Sequence, residues 1–269
     1  MYFTRLNITS SNKLASVKPK KHLGQHFLKD ENIAQKIVDV LKEKNGLVIE
    51  VGPGTGVLTK YLLEADIEEL VALDVDSESI HYLKENFPEH ENQFLLKDFL
   101  HYQVESEKYS VIGNFPYNIS SQLFFKFWDD RNKVDEVVCM IQKEVAERIC
   151  EKEGSKTYGI LSVLLQAFFD IEYLFTVPPH VFQPPPKVES SVIRLKRNEV
   201  QKLDCNEDHF KRVVKAGFGK RRKTLRNALK DINLPETVAD MEILNQRAEQ
   251  LSVAQFISLT SKITSGWKQ

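Results

Sequence analysis

The chain of 269 residues contains little cysteine: Cys139, Cys150 and Cys205 are odd in number and far apart. This spacing fits neither a disulfide framework nor a cysteine-based metal site. No apolar stretch approaches the roughly 18 residues that a membrane span requires, and no apolar run follows the lysines near the start, as a secretory signal demands. We therefore expect a cytoplasmic protein with no membrane association and no bound metal.

An excess of charge of either sign is also absent, because 37 Lys and Arg stand against 38 Asp and Glu, a formal net charge of -1. The total therefore does not indicate a polyanionic partner, and only the local distribution of charge can do so. With 42% hydrophobic and 28% charged residues, the composition is that of an ordinary globular protein with a substantial core. We expect a monomer.

What the sequence does contain is a regular alternation of short apolar runs with helical patterns between Leu47 and Gln142. The runs are LVIEV, ELVALDV, QFLL, YSVIGN and EVVCMIQ. This rhythm is typical of a doubly wound, Rossmann-like α/β sheet of parallel strands. Two later runs, DIEYLFTV and VESSVIRLKR, flank a proline-rich loop and predict an antiparallel pair at one sheet edge.

The pattern changes after about Asn198, where apolar residues recur at steps of three and four with no strand-like run. We therefore predict a catalytic α/β domain over residues 1–198 and a small all-helical domain over residues 199–269.

A glycine loop follows the first predicted strand, with Gly52, Gly54 and Gly56 in the spacing G-x-G-x-G. A dinucleotide fingerprint has G-x-G-x-x-G, so the spacing argues against a nicotinamide oxidoreductase. The loop resembles motif I of class I methyltransferases, which implies that Gly52, Gly54 and Gly56 bind the cofactor. Asp74 ends the second strand, where a carboxylate can accept both ribose hydroxyl protons of a nucleoside, and Asp98, after the third strand, is placed to accept from an adenine amino group.

The fourth predicted strand ends in Asn114-Phe115-Pro116-Tyr117, which resembles the motif of enzymes that methylate exocyclic amino groups of bases. The lone pair of adenine N6 is delocalised into the ring and must be oriented before it attacks a sulfonium carbon. The Asn114 side-chain oxygen and the Pro116 carbonyl can each accept one N6 proton, and both bonds strengthen as positive charge develops. We therefore predict these residues to be catalytic.

The target base must be unpaired or flipped out of a duplex to reach such a pocket. Tyr117 is expected to stack on one face of the base. Phe182 is expected to stack on the other face as the second aromatic wall of the pocket, because the prolines on both sides of it stiffen its loop.

Seven segments together resemble the KsgA family of ribosomal RNA adenine dimethyltransferases, from Lys20 to about Leu259. They are KKHLGQHFL, VIEVGPGTGVL, LDVD, KDF, NFPYNIS, VFQPPPKVESSV and KRRKTLRNAL. The resemblance implies S-adenosylmethionine as methyl donor and dimethylation of two adjacent adenosines near the 3' end of 16S ribosomal RNA, free or in an assembling 30S subunit. It also implies that the cofactor site is lined by His26, Leu28, Gly52, Asp74, Asp98 and Asn114.

Two positions depart from the usual family pattern. His26 stands where the family commonly has Asn, and Phe115 stands where Leu or Ile is commoner. Because imidazole and amide can both donate a hydrogen bond, we expect cofactor binding to survive at His26 and to become sensitive to pH. Phe115 is expected to change only the packing beside the pocket.

A basic segment lies in the predicted helical domain, since residues 210–230 contain nine cations and no acid. Such a segment is typical of a surface that binds a phosphate backbone. The predicted RNA-binding residues there are Lys211, Arg212, Lys220, Arg221, Arg222, Lys223 and Arg226. Lys20 and Lys21 form a smaller predicted cluster.

Two alternative functions share the same motifs. The first is a methyltransferase of the erythromycin-resistance type, which modifies adenine in 23S ribosomal RNA. The second is a non-catalytic nucleic-acid-binding factor derived from the same fold. The segment KRRKTLRNAL favours the small-subunit enzyme over the first, and the intact glycine loop and NFPY motif argue against the second.

Overall fold

The fold is built on a seven-stranded sheet, seen in a computed structural model that describes residues 17–232 and 234–265. Lys13, the first of the lysines used above to argue against a secretory signal, lies outside these residues. The described strands are β1 (Phe27–Leu28), β2 (Leu47–Val51), β3 (Glu69–Asp74), β4 (Phe94–Leu96), β5 (Tyr109–Asn114), β6 (Val134–Gln142), β7 (Phe169–Val177), β8 (Phe182–Gln183) and β9 (Ser190–Arg197).

The sheet has the order β4-β3-β2-β5-β6-β9-β7. Its first five strands are parallel, and β9 is antiparallel to both β6 and β7. Every residue of β2 is buried, as expected for a parallel strand covered by helices on both faces. The predicted Rossmann-like sheet and its antiparallel edge pair are therefore confirmed.

Helices cover the sheet and form the C-terminal region. They are α1 (Glu31–Val40), α2 (Val57–Glu64), α3 (Ser77–Asn86), α4 (Ser120–Asp129), α5 (Lys143–Cys150), α6 (Ile160–Gln166), α7 (Glu207–Gly219), α8 (Leu225–Ala228), α9 (Glu236–Ala239) and α10 (Val253–Thr264). Side-chain caps begin several of them, as at Asp30, which accepts from the amide of Ile33. In the described part of the chain no helix is both long and apolar enough to cross a membrane.

The C-terminal helices share one apolar core with the sheet. Trp128 of α4 stacks on Phe210 of α7 with ring centroids 5.8 Å apart. Beside them Arg131 pairs with Glu207 and lies over the Trp128 ring. The predicted helical region after β9 is thus present and anchored on the sheet, and the division at residue 198 stays a prediction.

Candidate functional site

A cavity of about 170 Å³ opens at the carboxyl ends of β2, β3 and β5. Parallel strands meet at this edge, so the loops that follow them converge there. Ten of the lining residues are Gly24, Gln25, His26, Gly52, Gly54, Asp74, Asp98, Asn114, Pro116 and Tyr117. The topology therefore brings the predicted cofactor residues of three strand ends together with the NFPY motif.

The glycine loop approaches the cavity through Gly52 and Gly54. Gly54 has a φ of 55°, and a Cβ there would lie 2.8 Å from the ring of Phe27, so a side chain is excluded. Gly56 was predicted to bind the cofactor, but it lies outside the cavity lining. Its φ is 80°, and a Cβ would meet Leu83 of α3 at 2.7 Å. Glycine is therefore needed there for packing against α3, and its predicted contact with the cofactor stays a prediction.

Two carboxylates are buried behind the loop. Asp74 is 7% exposed and accepts from the amides of Gly54 at 3.3 Å and Asp76 at 2.9 Å, and burial raises its pKa to about 6. Glu50 is 1% exposed and accepts from the Thr59 hydroxyl at 2.7 Å, and burial raises its pKa to about 8. Within the described residues neither carboxylate has a cationic partner.

Buried carboxylates without a partner are costly when ionised, and a positively charged ligand in the cavity would stabilise both. The donor set therefore fits S-adenosylmethionine, which carries a sulfonium cation and a ribose. Asp98 also lines the cavity, where its carboxylate accepts from the amide of Leu100 at 2.9 Å and contacts His101 Nδ1 at 2.8 Å. Its predicted contact with an adenine amino group stays a prediction, and these two contacts use part of its hydrogen-bonding capacity.

The segment before β1 forms one side of the cavity. Lys20 Nζ lies 2.6 Å from Asp76 Oδ1, and Gln25 Nε2 donates to Asp76 Oδ2 at 3.0 Å. Lys20 was predicted to bind RNA, but in this structure its ammonium group ties the segment to the loop after β3. Leu28, a predicted cofactor residue, is buried against the glycine loop beside a small adjoining cavity that includes Glu50.

Asn114 at the end of β5 has a defined amide orientation. Its Nδ2 donates to the carbonyl of His26 at 2.8 Å, and because a carbonyl can only accept, the nitrogen must be the atom on that side. Oδ1 is thereby left as an acceptor. The Pro116 carbonyl accepts from the amide of Ile119 at 3.2 Å and retains a second lone pair.

Tyr117 is held at both its hydroxyl and its ring. The hydroxyl lies 2.5 Å from Oγ of the buried Ser190 at the start of β9. The ring stacks on that of His26, with centroids 5.3 Å apart and planes at 29°. Sequence reasoning missed Ser190 and the His26 ring contact, because partners 73 and 91 residues away leave no local signal.

Phe182, predicted to stack on the target base, is packed into the core in this structure. It is 1% exposed, pairs with Leu28 through the β1–β8 ribbon and belongs to an apolar cluster with Val177 and Val181. The prolines do shape its loop, but they direct Phe182 into the core, where a large apolar ring gains most from burial. Its predicted contact with the target base stays a prediction.

Most of the predicted RNA-binding cations are engaged within the protein. Lys211 pairs with Asp129 at 2.6 Å and Lys220 with Asp231 at 2.8 Å. Arg221 donates to the carbonyls of Lys156 and Tyr158, and Arg226 to the carbonyl of Ala239. Lys21, Arg212, Arg222 and Lys223 are exposed. Among residues 17–232 and 234–265 no group of three or more His, Cys, Asp or Glu is arranged to hold a metal ion.

Comparisons with known proteins identify the family of the chain. Residues 16–265 match the family model described as ribosomal RNA adenine dimethylase. Two curated relatives named ribosomal RNA small subunit methyltransferase A are similar over nearly their whole length. The one from Cytophaga hutchinsonii is 56% identical, covering 93% of this chain and 99% of the relative. The one from Flavobacterium johnsoniae is 53% identical, covering 93% and 97%.

Two solved structures are similar to this chain in fold. A dimethyladenosine transferase from Plasmodium falciparum superposes with a TM-score of 0.75 at 27% identity, covering 87% of this chain and 96% of that one. The 23S rRNA methyltransferase ErmE has a TM-score of 0.65 at 22% identity, covering 88% and 99%. With the family model matching almost the entire chain, the protein belongs to the ribosomal RNA adenine dimethylase family and is an S-adenosylmethionine-dependent enzyme that dimethylates adenine in ribosomal RNA.

Proposed function

We propose that the enzyme methylates N6 of two adjacent adenosines near the 3' end of 16S ribosomal RNA, giving N6,N6-dimethyladenosine during small-subunit biogenesis. The names of the relatives from Cytophaga hutchinsonii and Flavobacterium johnsoniae support the small subunit as target. The observation that carries the proposed chemistry is the orientation of Asn114, whose amide nitrogen is committed to the His26 carbonyl.

S-adenosylmethionine supplies an electrophilic methyl group on its sulfonium. The fixed Asn114 amide presents Oδ1 as an acceptor for one N6 proton, and the Pro116 carbonyl accepts the other. These bonds localise the N6 lone pair and aim it across the cavity, and they strengthen as the nitrogen becomes positive. No strong general base is required, because the methylated ammonium is acidic enough to lose its proton to water.

The second transfer places a further demand on the site. A monomethylated N6 has one proton left, so only one of Asn114 and Pro116 can accept from it. The base must then be held mainly by stacking on Tyr117, whose orientation depends on the short contact to Ser190. A ring fixed at both its face and its hydroxyl is suited to holding the base through both transfers.

We further propose that the enzyme acts as a monomer in the cytoplasm, on 16S RNA free or in an assembling 30S subunit. In this proposal the α/β region up to residue 198 binds the cofactor and the target base, and the C-terminal helices contribute to RNA binding. The exposed cations Lys21, Arg222 and Lys223 support an RNA-facing surface. They form no ion pair within the described part of the chain, so their charge is available to phosphate.

The decisive experiment incubates purified protein and S-adenosylmethionine with 30S and 50S particles from a strain lacking the modification, followed by mass spectrometry of each RNA. We expect dimethyladenosine in small-subunit RNA only. Product confined to 23S RNA would instead indicate an enzyme of the erythromycin-resistance type, which the likeness to ErmE, a likeness of fold alone at this identity, does not favour. Absence of methylated adenine in both would indicate a non-catalytic binding factor.

A further inference from the structure

Residues 20–28, called the covering segment below, cross the cofactor cavity from one strand end to another. At one side two of their side chains donate to Asp76, which follows β3. At the other side the carbonyl of His26 accepts from the Asn114 amide at the end of β5. Because β2 lies between β3 and β5 in the sheet, the covering segment passes over the glycine loop. A ligand between the loop and the segment must therefore move the segment to leave.

The two ends of the covering segment are held differently. At its β1 end the backbone pairs with β8 in an antiparallel ribbon, and just beyond it the amide of Lys29 donates to the carbonyl of Val181 at 2.9 Å. At the Asp76 end the ties are side-chain bonds, and the Lys20 side chain is 28% exposed. Side-chain bonds that water can reach open more readily than a backbone ladder. The segment is therefore expected to open at the Asp76 end.

Asp76 joins the covering segment to the cofactor edge of the sheet. Its side chain is fully buried, and it accepts from Lys20 Nζ at 2.6 Å and from Gln25 Nε2 at 3.0 Å. The Lys20 ammonium also lies 3.2 Å from Glu78 Oε1. The amide of Asp76 donates to Asp74 Oδ1 at 2.9 Å. One residue thus connects the covering segment with the carboxylate predicted to accept the ribose hydroxyls.

We propose that the Lys20–Asp76 ion pair sets the lifetime of the bound cofactor by holding the covering segment closed. Both residues lie outside the cavity lining, so they are positioning residues that act through the segment. Each methyl transfer leaves S-adenosylhomocysteine in the site, and this product must depart before the next S-adenosylmethionine binds. The ion pair therefore opens in every turnover. This role concerns the cofactor and does not depend on which ribosomal RNA is modified.

Four variants test the ion pair. Lys20→Met removes the ammonium and keeps an aliphatic side chain, whereas Lys20→Arg keeps a cation that can donate to Asp76. Lys20→Met combined with Asp76→Asn removes both charges, so that no unpaired carboxylate stays buried. Lys108→Met is the matched control, because Lys108 pairs with Asp135 at 2.9 Å and lies outside the cavity lining.

Two measurements are made on each protein without RNA. Rapid-mixing chase experiments give the dissociation rates of S-adenosylmethionine and S-adenosylhomocysteine. Hydrogen exchange with mass spectrometry gives the protection of the amides in the covering segment and in the rest of the chain. A contribution of Lys20 through its charge alone has the opposite sign, since removing a cation would favour the positively charged S-adenosylmethionine and leave its neutral-sulfur product unaffected.

We expect Lys20→Met to release both ligands about fivefold faster, the loss of one partly exposed hydrogen bond between charged groups. Amide exchange should become faster in the covering segment and stay unchanged elsewhere. The double variant should release the ligands as fast as Lys20→Met, whereas Lys20→Arg and Lys108→Met should resemble the wild type. The proposal is overturned if Lys20→Met releases both ligands at the wild-type rate or holds only S-adenosylmethionine longer. It is also overturned if the double variant regains the wild-type rate, which would assign the effect to the unpaired carboxylate.

Discussion

The cofactor edge of the sheet and the basic segment of the C-terminal helices were both predicted from sequence patterns. In the structure, however, the side chains of the two regions are arranged differently. At the sheet edge Gly52, Asp74 and Asn114, which are far apart in sequence, line a single cavity. In the basic segment Lys211 and Lys220 each turn to a nearby carboxylate of the same chain.

The difference lies in what fixes a side chain. The ends of parallel strands must meet at one edge, so a position just after a strand already specifies a place in the fold. A long, flexible cation on a helix has no such constraint and pairs with whatever acid or carbonyl is within reach. Strand-end position is therefore the stronger guide to function, and a run of cations must be resolved residue by residue.

The sharpest test of the cofactor edge is Asn114→Ala. Removing a transition-state acceptor should lower the single-turnover rate by roughly 100- to 1,000-fold, while cofactor affinity changes much less. Asn227→Ala, in the exposed part of α8, is the matched control and should keep full activity. Rapid-quench assays on 30S particles measure the rate. A wild-type rate in Asn114→Ala would remove Asn114 from the mechanism.

The pH dependence of cofactor binding tests Asp74. Burial raises the pKa of Asp74 to about 6. The ionised carboxylate, which we predict to accept the ribose hydroxyls, is therefore present above that pH and is lost below it. Affinity should therefore fall by up to about tenfold per pH unit below pH 6. Asp74→Asn should bind weakly at every pH and lose this dependence. Calorimetry measures both proteins, and equal wild-type affinity at low and neutral pH would contradict the assignment.

Sequence patterns predicted the positions of polar residues that directly follow a strand. They did not predict positions that depend on tertiary packing. β2 and β5 were predicted with their observed bounds, because their apolar runs are continuous and end in turn residues. Gly56 was assigned to the site from its motif position, and Phe182 from the prolines that flank it. What decided their places was packing against Leu83 in one case and pairing with Leu28 in the other.

Replacing Glu50 is expected to have a smaller effect than the two changes above, and the effect is on the stability of the fold. The pKa of Glu50 is about 8 in the folded protein and near 4.5 when unfolded, so the folded state favours the protonated form. Stability is therefore highest below the unfolded pKa and is lost as pH rises toward 8. Glu50→Gln keeps a partner for the Thr59 hydroxyl and should raise Tm at alkaline pH but not at mildly acidic pH.

Thermal melts across this range test the assignment, with the exposed Glu64→Gln as control. The same Glu50→Gln variant should bind the cofactor more weakly, because a positively charged ligand in the cavity favours the ionised form of Glu50 and an amide cannot ionise. A Tm difference from the wild type that does not change with pH would show that Glu50 is not titrating as a buried acid.

The smallest expected effect concerns the basic segment itself. Arg222 and Lys223 are exposed and form no ion pair within the described residues, whereas Lys211 and Lys220 already have acidic partners. We assume that only unpaired cations contact phosphate. The double change Arg222→Ala and Lys223→Ala should then lower the slope of log K for RNA binding against log salt concentration by about 0.7 to 0.9 per lost contact. Lys211→Ala with Lys220→Ala removes the same charge and should change the slope less, since those ammonium groups must first leave Asp129 and Asp231. Filter binding of a 16S RNA fragment over a salt series measures the slopes, and cofactor affinity should be equal in both proteins. Equal slopes would show that the internal ion pairs open freely on RNA, so that a run of cations acts as a unit after all.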